Sequence, residues 1–174
     1  MPSQAAGPVL AINLTHRGFV FVLFTAPLSP FDWGERVVAK SALHDGTLRA
    51  VERIMERYHP EVVVIEDEAA AARLRGSRAA LLYRDMAVLA EEAGALSFAY
   101  TREAVLRTFA KYQPHSKHDI AKVIAAHISE FRHHLPEKRK LWAKPSAWHA
   151  LFDAAALGLT YYAADGQLTI PAPV

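Results

Sequence analysis

The apolar positions of the chain follow two rhythms. "VLAINL" (Val9 to Leu14) and "FVFVLF" (Phe19 to Phe24) are short runs of β-forming residues, and each reads as a strand, the second as a buried one. Between them "THRG" reads as a turn closed by Gly18. "APLSP" breaks the second run with two prolines, and "GERVVAKS" (Gly34 to Ser41) alternates well enough for a third strand. Three strands joined by short connections predict an antiparallel meander. In "HDGTLRAVERIMERYHPE" the rhythm changes: Leu48, Val51, Ile54, Met55 and Tyr58 recur at helical spacing, with Asp45 or Thr47 as N-cap and Pro60 as the stop. "EVVVIEDE" follows at once. A helix feeding an apolar strand implies a parallel crossover with helices on the sheet faces.

The second half reads as one long helix in "RLRGSRAALLYRDMAVLAEEAG" ended by Gly94, then a fifth strand in "ALSFAY". Two helices follow, "TREAVLRTFAKY" capped by Thr101 and "SKHDIAKVIAAHISEF" capped by Ser116. A charged loop, "RHHLPEKRKLWAKP", leads to a last helix, "SAWHALFDAAALGLTYYAA", capped by Ser146. The order β-β-β-α-β-α-β-α-α-α predicts an α/β domain with a mixed five-stranded sheet and helices on both faces. Its core spans about residues 9–164, and residues 165–174 read as a short flexible tail.

Composition narrows the class. A chain of 174 residues suits a single domain over 1–174. With 52% hydrophobic and 22% charged residues it is not a disordered polyelectrolyte. The absence of cysteine excludes disulfides and thiolate metal sites. No apolar run reaches the ~18 residues of a membrane span, and the N-terminus lacks the basic region of a signal peptide, so the expectation is a cytoplasmic protein. The net charge of +2 says little; its distribution says more. Arg73, Arg75, Arg78 and Arg84 follow the acidic triplet Glu66-Asp67-Glu68, a second basic group surrounds Lys111 and Lys117, and a third runs from Arg132 to Lys144. Basic clusters beside carboxylates suggest a polyanion partner, though solvated helix faces would look the same.

The candidate chemistry starts at the end of "VVVIEDEAA". Val62 and Val64 share a strand face with Glu66, so that carboxylate leaves a buried row at the strand end. Converging carboxylates of this kind can hold Mg²⁺ ions ~3.5–4 Å apart and stabilise the oxygens of a phosphodiester displacement. Asp153 is the best partner, because "WHALFDAAALGL" surrounds it with apolar residues and His149 lies one turn earlier on the same helix face. A hydrogen bond between that His and Asp is the plainer alternative. Asn13, on the first strand, offers a neutral oxygen to such a site but brings no charge. Trp142 and Trp148 could stack bases or simply cover a helix end.

Taken together, these segments resemble the RuvC-like Holliday-junction resolvases of the RNase H-like superfamily. "VLAINLTHRGFVFVLF" resembles that family's first hairpin, "RIMERYHPEVVVIEDE" its helix and strand ending in a catalytic carboxylate, and "HALFDAAALGL" its last ligand-bearing helix. The resemblance implies an RNase H-like fold and a metal-dependent endonuclease acting on branched or structured nucleic acid, DNA ahead of RNA. It implies Mg²⁺ or Mn²⁺ held by Glu66, Asp153 and Asn13, with His149 assisting, and Arg73, Arg75, Arg78, Lys111 and Lys117 on phosphates. It also implies a homodimer, for which Leu81, Leu82, Met86 and Leu89 offer a surface unless they pack on their own sheet. Asn13 stands where the family has an Asp, Ala150 where it has a ligand three residues before the final Asp, and His149 is one residue out of register. These departures keep an alternative in play: a catalytically inactive nucleic-acid-binding or assembly module on the same fold.

Overall fold

The computed structural model describes residues 7–138 and 147–172. Its sheet has five strands: β1 (Val9–Thr15), β2 (Gly18–Ala26), β3 (Ser29–Val37), β4 (Val62–Glu66) and β5 (Leu96–Tyr100). They lie in the order β3-β2-β1-β4-β5. β1, β2 and β3 form the antiparallel meander, and β4 and β5 continue the sheet parallel to β1. This is the mixed α/β sheet expected from the sequence. β3 begins earlier than the alternation at Gly34 to Ser41 suggests. Its register is set by β2, with Ala26 opposite Ser29 and Gly18 opposite Val37, across a two-residue turn in which Leu28 adopts a positive φ of 60°. Cross-strand pairing thus overrode local alternation.

The helices are α1 (Leu43–Tyr58), α2 (Glu68–Arg75), α3 (Ser77–Glu92), α4 (Arg102–Thr108), α5 (Lys117–His127) and α6 (Ala147–Ala164). α1 starts at Leu43 without a side-chain cap, so neither Asp45 nor Thr47 is the N-cap; both lie inside its first turns. Thr101 and Ser116 do cap α4 and α5, accepting from Ala104 N and Asp119 N. Ser146 lies outside the described residues. The long helix expected around Gly76 is two helices. Gly76 has φ 94°, a region L side chains rarely adopt, and the chain turns there.

The sheet alternation divides the core. Val9, Ala11, Val62 and Val64 pack on α5 and α6, whereas Leu10, Ile12, Val63 and Ile65 pack on α1 and α3. Leu82 and Met86 belong to the second cluster and Leu89 packs against it, so that face of α3 is committed to its own sheet; Leu81 alone of the four is exposed. α6 lies close over the sheet because it presents small residues. A Cβ on Gly158 would come within 2.5 Å of Phe24 Cε2 and 3.4 Å of Ala11 Cβ. Within the segment read as a flexible tail, Ile170 is buried in the first cluster and Leu168 packs against it. No described helix is long and apolar enough to cross a membrane.

Candidate functional site

β1 and β4 are parallel neighbours with Ala11 opposite Val64, so Asn13 and Glu66 lie two residues further on, at adjacent carboxyl ends. Between β2 and β4, β1 is also where the sheet changes direction, the usual place for a ligand in an open α/β sheet. A cavity of about 1120 Å³ opens there. Asn13, Glu66, Lys117, His149 and Asp153 all line it, so strand ends, the start of α5 and the first turns of α6 meet at one cavity.

The acidic triplet divides its work. Glu66 faces the cavity, Asp67 accepts from Ala70 N as the N-cap of α2, and Glu68 pairs with Arg84 in the first turn of that helix. Asp67 and Glu68 therefore serve the helix start and do not line the cavity. The abrupt end of the β-branched run is a strand end and a helix cap set back to back.

Glu66 is held from several sides. Arg75 Nε lies 3.0 Å from its Oε2, and the two side chains are 28% and 14% exposed. The same guanidinium donates to the Asn13 side-chain oxygen at 3.1 Å and to the Leu14 carbonyl at 2.7 Å. Tyr83, fully buried, accepts from Leu14 N at 3.0 Å and donates to Glu66 Oε2 at 3.4 Å. Burial pushes the Tyr83 phenol well above its ordinary range, so it remains a proton donor. Arg75 was expected among the phosphate contacts; it turns inward because the break at Gly76 leaves it at the end of α2, over the strand ends.

Asp153 is held more simply. Lys117 Nζ donates to its Oδ2 at 2.7 Å, bridging α5 to α6. Arg17 pairs with Glu35 at 3.4 Å on the cavity rim. Among the described residues, each acidic residue lining the cavity (Glu35, Glu66 and Asp153) thus has its own base, and the lining cations Arg102 and Lys138 are not part of these pairs. Lys111, Arg73 and Arg78 are exposed and line no part of the cavity. Trp148 stacks on His134 with ring centroids 4.1 Å apart; Trp142 lies outside the described residues.

This donor set does not suit a divalent ion as it stands. Glu66 and Asn13 are engaged by one guanidinium and Asp153 by an ammonium, and among the described residues no three His, Asp or Glu side chains are arranged around a common point for a metal. The sequence reading missed Arg17, Arg102 and Tyr100. Each sits at or just past a strand end: Arg17 in the turn after β1, Tyr100 as the last residue of β5 and Arg102 opening α4. Reading from the last residue of each strand to two residues past it would have found them. Burial holds the Tyr100 phenol up at about 12, so it too presents a proton to the cavity.

No family model matches the chain, and no curated protein matches it. Solved structures do. The chain is similar to Thermus thermophilus RuvC (TM-score 0.66, 17% identity, covering 92% of this chain and 97% of that one). It is similar to T. thermophilus RuvC in complex with a Holliday junction substrate (TM-score 0.63, 18% identity, 92% and 97%). It is also similar to the fowlpox virus Holliday junction resolvase (TM-score 0.54, 12% identity, 90% and 98%). The fold is RuvC-like, within the RNase H-like architecture.

Proposed function

We propose that this chain binds branched or otherwise structured nucleic acid, DNA ahead of RNA, in the cavity at the ends of β1 and β4. It does so as a binding module whose carboxylates are neutralised by its own bases. One observation carries this: among the described residues that line the cavity, the three internal ion pairs account for Glu35, Glu66 and Asp153, while the cations Arg102 and Lys138 have no carboxylate in those pairs. Such a lining attracts phosphates and offers little to a bare cation. Lys117, 55% exposed, can exchange Asp153 for a phosphate at low cost. The RuvC-like fold supports the choice of DNA, since one of the similar structures holds a Holliday junction substrate.

The metal-dependent endonuclease reading keeps an observation of its own: Asn13, Glu66, His149 and Asp153 line one cavity. It requires Mg²⁺ or Mn²⁺ to displace Arg75 and Lys117 from those oxygens. A homodimer would have to use other surface; Leu81 and Val88, one stripe of α3, remain exposed for it.

Fluorescence anisotropy with a labelled four-way junction and a linear duplex of equal length, both in EDTA, tests the proposal. The junction should bind more tightly, and the salt dependence of binding should fall by about one phosphate contact in Arg102→Ala. Failure to bind either DNA at low salt would sink it. Cleavage in Mg²⁺ that disappears in Glu66→Gln would put the endonuclease reading in its place.

A further inference from the structure

Three oxygens of different kinds converge at the ends of β1 and β4: the Glu66 carboxylate, the Asn13 side-chain carbonyl and the Leu14 main-chain carbonyl. Carboxylate, amide carbonyl and peptide carbonyl are the donors that hard divalent cations take. Here all three point at one guanidinium. We infer that Arg75 is the resident cation of a latent oxygen site and that it keeps the site closed to divalent metal.

Charge and backbone both argue for it. Glu66 is the one acidic member of the set, and Arg75 cancels it; the neutral amide of Asn13 adds an acceptor without adding charge. An Asp at position 13 would leave a net negative charge where Asn13 is 4% exposed, and that would call for a cation of higher charge. The Asn at 13 and the Arg at 75 therefore form one matched arrangement. The guanidinium suits the task because its rigid fork can address acceptors in several directions, as an ammonium cannot. Its position is set by the fold: Arg75 ends α2, and the φ of 94° at Gly76 sends the chain off into α3 and leaves the side chain over the strand ends. Tyr83 fixes the oxygens from the other side, through Leu14 N and Glu66 Oε2.

The inference concerns the cation and does not rest on the nucleic-acid reading, so its test contains no DNA. The full chain, Arg75→Ala, Glu66→Gln and the double variant are titrated with millimolar Mn²⁺. Free Mn²⁺ is followed by electron paramagnetic resonance and the melting temperature is recorded in parallel. The wild type should bind no Mn²⁺ at Glu66 and melt at the same temperature with and without it. Arg75→Ala should bind the ion and gain melting temperature from it, and the double variant should lose both effects. Mn²⁺ binding by the wild type that is abolished in Glu66→Gln would overturn the inference, and this comparison needs no Arg75 variant to fold. A folded Arg75→Ala protein that binds no Mn²⁺ would overturn it equally.

Discussion

Two carboxylates face one cavity and are held in opposite ways. Glu66 is 14% exposed, and its base, Arg75, is at the same time tied to Asn13 and to the Leu14 carbonyl. Asp153 is 25% exposed, and its base, Lys117, reaches no other acceptor among the described residues and is itself 55% exposed. A guanidinium fork shared among three acceptors is a fixture of the fold. An ammonium on a flexible stem is an exchangeable counter-ion. The difference assigns roles: the strand-end pair holds β1, β4 and α2 together, while the pair between α5 and α6 can open to a ligand.

The sharpest way to break the comparison is to remove the two bases separately. Arg75→Ala leaves Glu66 with no base in contact at a largely buried strand end, and should cost about 3 kcal/mol, the lower end of the range for breaking a buried pair. For a chain of this size that is a fall of roughly 6–12 °C in melting temperature. Thermal denaturation with and without Glu66→Gln checks it, because the double variant should recover part of the loss. Equal melting temperatures for wild type and Arg75→Ala would mean that the guanidinium is not a fixture. Tyr83→Phe comes next. It strands the buried Leu14 N–H and removes a donor to Glu66, at a cost of about 1–3 kcal/mol readable in urea midpoints. A midpoint as high as the wild type's would show that the phenol is not needed there.

Lys117→Ala should do the reverse. Its stability effect should stay below about 1 kcal/mol, as for other exposed pairs, while the affinity for junction DNA falls. A variant that melts far lower, or binds DNA unchanged, would erase the contrast between the two pairs.

That contrast was only half legible in the sequence. The strands could be read because apolar runs between turn residues have few other readings, and Glu66 could be read as a charge ending such a run. Asp153 stood out as a carboxylate in an apolar helix. The inward turn of Arg75 could not be read. It depends on Gly76 dividing what looks like one helix, and a single Gly in a helical pattern is often tolerated. The start of α1 was misplaced because it has no capping side chain, and the range of β3 because β2, not local alternation, sets its register. Only for β3 did a distant strand decide what the local pattern left open; at Gly76 and at the start of α1 the deciding feature is local, a positive φ and an absent cap.

The smallest expected effect concerns what aims Lys117. It is the first residue of α5, directly after the Ser116 cap, and Asp119 closes that turn. The main-chain N–H of His115 and the Ser116 hydroxyl donate to the Asp119 carboxylate and, in that order, hold its pKa below the usual range. A depressed folded pKa means that the carboxylate stabilises the turn fully above its unfolded pKa and loses that contribution as pH falls through the folded one. The melting-temperature difference between wild type and Asp119→Asn should therefore be constant from neutral pH down to the ordinary Asp range and shrink below it. The group is partly exposed and solvent screens it, so the difference will be small, but its pH profile is diagnostic. If the cap also aims Lys117, Asp119→Asn should weaken junction binding at neutral pH while leaving the Arg75 and Glu66 region unchanged. Weakened binding together with the large melting loss expected for Arg75→Ala would show instead that the two ends of the cavity are mechanically one.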